Sequence, residues 1–240
     1  MLSARLGLPA MIEKGRDTAI TLDVYSAESV QQTASAATLK LYSGGELVLE
    51  DVAATGLGPP CTYTVLAAVT SARATSADWL AVWTLTISGV DYVFRQPVYL
   101  VKHLLYSPIT DDDLTDRHSD LDSLRHTAAM GSFSPYRTAA FERVQRKLIA
   151  RGNRPALIID SWAFTDLLVF ETLAPIFRDF AGSLGDTRYT ELADHYTAAA
   201  SAAWSGLVFR YDEDEDGLIG SDETRRGSPV VYLNAPRRWR

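Results

Sequence analysis

A chain of 240 residues, 47% hydrophobic and 22% charged, has the material for one large domain or two small ones, and its composition is not that of a disordered protein. Its formal charge of −7 excludes a protein that wraps nucleic acid over its whole surface, because phosphates call for a basic face. A single cysteine, Cys61, excludes an intramolecular disulfide framework and a cysteine-rich zinc site, and reads as a small buried filler.

No apolar run approaches the ~20 residues needed to span a bilayer. Residues 6–12 are too short and too interrupted for a secretory core segment. The expectation is a protein made and kept in a cytoplasm, or assembled there into something larger, with no membrane partner.

The first hundred residues alternate in the period of strands. Residues 18–25 alternate loosely, as a half-buried strand does. Residues 38–42 face 46–50 across Ser43, Gly44 and Gly45, a hairpin signal. Residues 62–69 read as another strand. Residues 80–88 and 91–101 flank Gly89 and Val90 as a further hairpin, and 74–78 read as a turn delivering Trp79 and Trp83 to a core. Short strands with frequent turns predict an antiparallel β-sandwich module over residues 1–106.

After Pro108 the period switches to 3.6, and residues 107–240 read as a helical domain, so the fold class expected for the whole is α+β. Thr110 caps a helix whose first turn is Asp111, Asp112 and Asp113, with Leu114, Leu121 and Leu124 on one stripe. Ser134 and Pro135 open a second helix, striped by Phe141, Val144 and Leu148 and stopped at Gly152. A third helical region runs over 162–180, where Pro175 should kink or split it. A fourth starts after Gly185 and Asp186, with Tyr189, Leu192, Tyr196, Ala199, Ala203 and Leu207 as its stripe and Trp204 beside it. A short β-prone segment, Val230, Val231, Tyr232 and Leu233, closes the chain. It is able to pair back onto 207–211 as a hairpin or to add to a strand of another subunit.

Between those segments lies the densest motif. Asp212, Asp214 and Asp216 stand at positions 1, 3 and 5 of a calcium-loop pattern, Gly217 at 6 and Glu223 at 12. A hard cation wants several oxygen ligands, and glycine permits the turn that gathers them. On this pattern the metal ligands are Asp212, Asp214, Asp216 and Glu223 through carboxylates, Leu218 through its carbonyl and Gly220 through a water. The residues after Glu223 cannot form an exit helix and no second loop exists, so local bracing by calcium or a plain acidic turn is expected, not a sensor. No cofactor is required by any other motif.

Catalytic signatures are lacking. His103, His118, His126 and His195 form no i, i+4 pair, and His118 and His126 read as surface residues among acids. There is no nucleophile elbow, no Cys-His signature, and residues 56–60 lack the third glycine of a nucleotide loop. Asp111, Asp112 and Asp113 suit a helix start better than a metal. The catalytic expectation is therefore none. Arg225, Arg226 and the terminal Arg237, Arg238, Trp239 and Arg240 concentrate positive charge, which suits docking on an acidic neighbour or on nucleic acid. With Val230, Val231, Tyr232 and Leu233, the terminal four are the candidate interface residues.

The second half resembles the head-to-tail adaptor (connector) proteins of long-tailed bacteriophages. The residues that carry the likeness run from Ile109 and Thr110 through Asp111, Asp112, Asp113 and Leu114. They continue in the helix holding Arg143 to Leu148 that ends at Arg151 and Gly152, the segment Arg154, Pro155, Ala156, Leu157 and Ile158, and the long helical pair before the acidic loop that begins at Tyr211. The resemblance covers about residues 107–235, and the first hundred look like an added β-sandwich of a phage structural protein. It implies a virion protein at the head–tail junction: a ring, commonly of about twelve copies. The ring's partners would be itself, the portal, and tail or stopper proteins, with DNA passing the bore unread. Two other classes stand beside it: a tail-associated or receptor-binding protein that uses the sandwich, and a calcium-braced hydrolase.

Overall fold

Strand-period sequence gives way to helix-period sequence at one place, and the chain divides there: one unit takes in the residues up to Leu104 and a second runs from Leu105. The computed structural model describes residues 2–4, 8–127, 131–214, 220 and 223–226. The class is α+β, with strands first, helices second and a short hairpin after them.

In the first unit the strands are β1 (Leu2–Ala4), β2 (Ala10–Glu13), β3 (Thr18–Leu22), β4 (Val24–Ser26), β5 (Ala36–Ser43), β6 (Glu46–Ala53), β7 (Cys61–Val65), β8 (Ser76–Ile87) and β9 (Val90–Val101), with a single helical turn α1 (Ala67–Thr70). A five-stranded sheet has the order β2-β9-β8-β5-β6, while β3 pairs with β7 and β1 with β4. Alternate residues of the large sheet, Leu39 and Leu41 of β5, Ala81, Trp83 and Leu85 of β8, and Val98 and Leu100 of β9, share one core with Ile20 and Leu22 of β3 and Cys61 and Val65 of β7. That is the sandwich the alternation implies: period two puts every second side chain on the same face.

Four details depart from the expectations. The β2–β9 pair is parallel, Ala10 opposite Val98 through Glu13 opposite Val101, so the large sheet is mixed and not wholly antiparallel. The β8–β9 turn is Ser88-Gly89, with φ of 52° and 77°, and Val90 already belongs to β9. The strand at 62–69 stops at Val65, where the chain curls into α1. The expected turn at 74–78 is partly strand, since β8 begins at Ser76. The Gly44-Gly45 hairpin forms as expected, both residues at positive φ, the geometry of the mirror-image turns that suit twisted strands.

Trp79 and Trp83 are both in the core. Trp83 donates its indole N–H to Gln96 Oε1 at 2.9 Å, and Gln96 Nε2 donates to the Thr21 carbonyl at 3.0 Å, so one buried amide joins β8, β9 and β3. Edge strand β6 carries register shifts and a left-handed Asp51, whose carboxylate pairs with Lys40 at 3.1 Å. Bulges and charge of this kind keep an edge from pairing with other chains.

The second unit contains α2 (Asp111–Arg117), α3 (Leu121–Thr127), α4 (Ser134–Ala150), 3-10 turns at Pro155–Leu157 and Ser161–Phe164, α5 (Thr165–Leu184), α6 (Thr187–Gly206), and strands β10 (Val208–Arg210) and β11 (Thr224–Arg226). The helix expected from Thr110 through Leu124 is two helices. Its break at His118 is bonded through the His118 N–H to the Leu114 carbonyl. Leu114 and Leu121 are nonetheless buried in the same core.

Helix α5 runs through Pro175 without splitting. Proline removes the donor that the carbonyl four residues back would use. That carbonyl belongs to Glu171, and Arg143 Nη2 of α4 donates to it at 2.6 Å. The loss inside one helix becomes a link between two. Gly185, at φ 69°, ends α5, and the Asp186 carboxylate accepts from the Arg188 N–H to start α6. The buried stripe of α6 is Ala193, Tyr196, Ala200 and Trp204, one residue round from the Ala199 and Ala203 expected. Phe177 of α5 stacks on Tyr196 at 5.5 Å and Tyr189 at 6.2 Å.

Candidate functional site

The acidic loop hangs on a built frame. Phe209 of β10 is buried against Phe164, while β10 pairs antiparallel with β11, Val208 opposite Arg226 and Arg210 opposite Thr224. The partner of β10 is thus 224–226; the segment 230–233 lies outside the described residues. On its other side the chain is bridged at Ile158 and Tyr211, and the Asp212 N–H donates to the Leu157 carbonyl at 2.8 Å. The Tyr211 hydroxyl accepts from the Arg154 N–H at 3.0 Å, and the Arg225 guanidinium lies 4.2 Å from the centre of the Tyr211 ring.

On this frame the carboxylates of Asp212, Asp214 and Glu223 converge, with one oxygen of each within 4.8 Å of the others. Asp212 is buried, Glu223 half-buried and Asp214 exposed. Glu223 closes the loop: Oε1 accepts from the Glu213 N–H at 2.8 Å and Oε2 from the Gly220 N–H at 2.5 Å. Each carboxylate oxygen has a second lone pair, so these bonds position the acid and leave it able to ligate. Three hard oxygens gathered this way form a group that can hold a hard cation. Gly220 takes part through its amide, bonded to Glu223. The expected ligands Asp216 and Leu218 lie outside the described residues, as do Val230, Val231, Tyr232, Leu233, Arg237, Arg238, Trp239 and Arg240.

Asn153, Arg154, Tyr211 and Arg225 make up the support around the loop, and Arg225 pairs with Glu213 at 2.8 Å. Sequence reasoning counted Arg225 with a basic tail. Its i, i+2 step from Glu223 on a strand was the one signal that it faces the loop.

The three acids at the start of α2 divide the work. Asp113 accepts from the Thr110 N–H at 2.6 Å, the cap expected. Asp111 instead reaches α4: it accepts from the Phe133 N–H at 3.2 Å, the Ser132 hydroxyl at 3.1 Å and Arg137 Nε at 2.8 Å, while Arg137 Nη1 donates to the Ile109 carbonyl. Burial pushes the Asp111 carboxyl up, but the Phe133 amide, Arg137 and Ser132 together outweigh it and hold it below the usual value.

The histidines scatter. His118 is half-buried, not exposed: its ring meets Phe177 edge-on at 4.8 Å, its Nδ1 is 3.4 Å from the Tyr196 hydroxyl, and burial holds its pKa below the ordinary value. His103 and His195 are exposed, and the His126 side chain lies outside the described residues. Cys61 is buried, and burial pushes its thiol up, as suits a core filler. Among the described residues no helix is long and apolar enough to cross a membrane. No protein-family model matches this chain, and no curated protein or solved structure matches it.

Proposed function

We propose that this protein is a head-to-tail adaptor of a long-tailed bacteriophage, a ring of copies that docks beneath the portal and lets DNA pass unread. The observation that carries this reading is that the segments of the resemblance are those from which the helical unit is tied together. Ile109 and Leu114 lie in its core, and Arg137 binds the Ile109 carbonyl. Arg143 bonds α5, while Val144 and Leu148 are buried. Ala156 and Ile158 are buried, and Leu157 holds Asp212 at the foot of the loop. The surface charge is in keeping: a net −7 repels the phosphates of passing DNA. On this reading a calcium ion at Asp212, Asp214 and Glu223 braces the loop, and residues 228–240 clasp a neighbouring subunit or the portal. Opposite charges would steer those contacts into register.

The test is to mix the purified protein with portal rings of its parent particle and image the mixture by cryo-electron microscopy. A closed ring seated on the portal is expected, since a head-to-tail contact whose rotation closes gives a ring. A chain lacking residues 228–240 should keep its fold but fail to join particles. Absence of any portal association in the full chain sinks the adaptor reading. Full incorporation of the truncated chain removes the clasp.

A further inference from the structure

Helices α4, α5 and α6 enclose a half-open cavity of about 350 Å³. Its charged walls come from Arg143 and Lys147 on α4 and from Glu171 and Arg178 on α5. Thr197, Ala200 and Ser201 of α6 are small, which leaves the space unfilled. The volume lies within the range of small-ligand pockets, about 300–1,000 Å³.

Two of the cations, Arg143 and Lys147, are held in place before any ligand arrives. Arg143 bonds the Glu171 carbonyl at 2.6 Å, the acceptor that Pro175 left without a donor, and its Nε reaches the Glu171 carboxylate at 3.3 Å. Lys147 also pairs with Glu171 and sits 5.7 Å from the Trp204 ring centre. Thr197 and Ser201 donate their hydroxyl protons to backbone carbonyls of their own helix, at 2.7 and 3.1 Å. Arg178 is exposed at the cavity wall. Three cations therefore surround one carboxylate, an excess of two positive charges in a protein whose formal charge is −7.

We propose that this cavity binds a phosphoryl group, free or carried on a small molecule. A phosphomonoester bears about −1.5 to −2 charges at neutral pH and matches that excess, whereas a carboxylate would leave half of it. Guanidinium groups meet phosphate oxygens in fork geometry, and an ammonium adds a point charge. A cleft lined by one excess sign of charge concentrates the field of its cations, so the site attracts a dianion despite the acidity of the whole chain. The proposal stands independently of the adaptor reading and concerns the helical unit alone.

Inorganic phosphate and, in parallel, a nucleoside monophosphate are titrated into the full-length protein at constant ionic strength, with chloride as the reference anion. Melting temperature and amide chemical shifts are followed. Saturable shifts centred on α4–α6, with a melting temperature several degrees higher, are expected at millimolar phosphate. A tighter response to the monophosphate assigns the group to a small molecule, and an equal one assigns it to free phosphate. Arg178→Ala, at an exposed position, should weaken binding about tenfold or more while the protein stays folded. Ser201→Glu, which puts a carboxylate beside the cations, should abolish it. Wild-type insensitivity to both anions overturns the proposal. So does an Arg178→Ala protein that responds as wild type does, or binding seen only with an oligonucleotide.

Discussion

Gln96 is buried and joins the layers of the sandwich, and Gln96→Leu isolates its worth. Leucine is close to it in volume, so packing is nearly kept. The Trp83 indole N–H loses its acceptor in a fully buried place, and an orphaned buried donor costs about 1–3 kcal/mol. The Thr21 carbonyl loses a donor in a half-buried place, adding about 0.5–1.5 kcal/mol. Greater apolar burial by leucine returns on the order of 1 kcal/mol. The net expectation is a loss of about 1–3 kcal/mol. It is read from urea melts followed by circular dichroism and from hydrogen exchange of the β8 and β9 amides, which separates this unit from the helical one. Trp83→Phe combined with Gln96→Leu removes donor and acceptor together, so the pair should cost less than the two singles added, by about 0.5 kcal/mol or more. Wild-type stability in Gln96→Leu, or strict additivity in the pair, would refute the reasoning.

Two further outcomes concern the helical unit. Asp111 has a folded pKa below its ordinary value of 3.8, so its contribution is present above that value and is lost as pH falls through the lowered one. Asp111→Asn should lower the melting temperature near pH 7 and flatten its fall on the acid side of pH 4, and an unchanged acid limb counts against the Asp111–Arg137 tie. At the loop, calcium should raise the melting temperature of wild type, by about 1.4 kcal/mol of stabilisation at ten times Kd, and Asp214→Ala should abolish the rise. A flat response at 10 mM calcium makes the loop a plain acidic turn.

The class and the boundary near residue 105 were legible because hydrophobic period is a local property, and the pattern 39, 41, 81, 83, 85 needs no knowledge of neighbours. The hairpin at Gly44 and Gly45 was legible for the same reason: positive φ selects glycine. What escaped depended on partners distant in sequence. The parallel β2–β9 pair joins residues far apart in the chain. His118 looked like a surface residue because its neighbours in sequence are acids, while its neighbours in space are Phe177 and Tyr196. Pro175 implied a kinked or split helix; the helix is not split, and Arg143 from α4 supplies the donor that the Glu171 carbonyl lacks. At the loop the spacing correctly grouped Asp212, Asp214 and Glu223, since position within a turn is also local. The short hairpin closes through 224–226, a segment with no apolar alternation to mark it as a strand.

The parallel placement of β2 beside β9 sets an order of events during synthesis. Ala10 leaves the ribosome well before Val98, yet they are neighbours in the sheet. The antiparallel core β5-β6-β8-β9 can assemble as each hairpin emerges, because its contacts are close in sequence. Strand β2 must wait, unpaired, until β9 is complete, and then dock along it as the final edge. Its brevity, four residues ending in Glu13, limits how well that waiting strand can recruit a wrong partner. The same closure brings the second strand of the unit beside its last, so residues about ninety positions apart form one edge of the sheet.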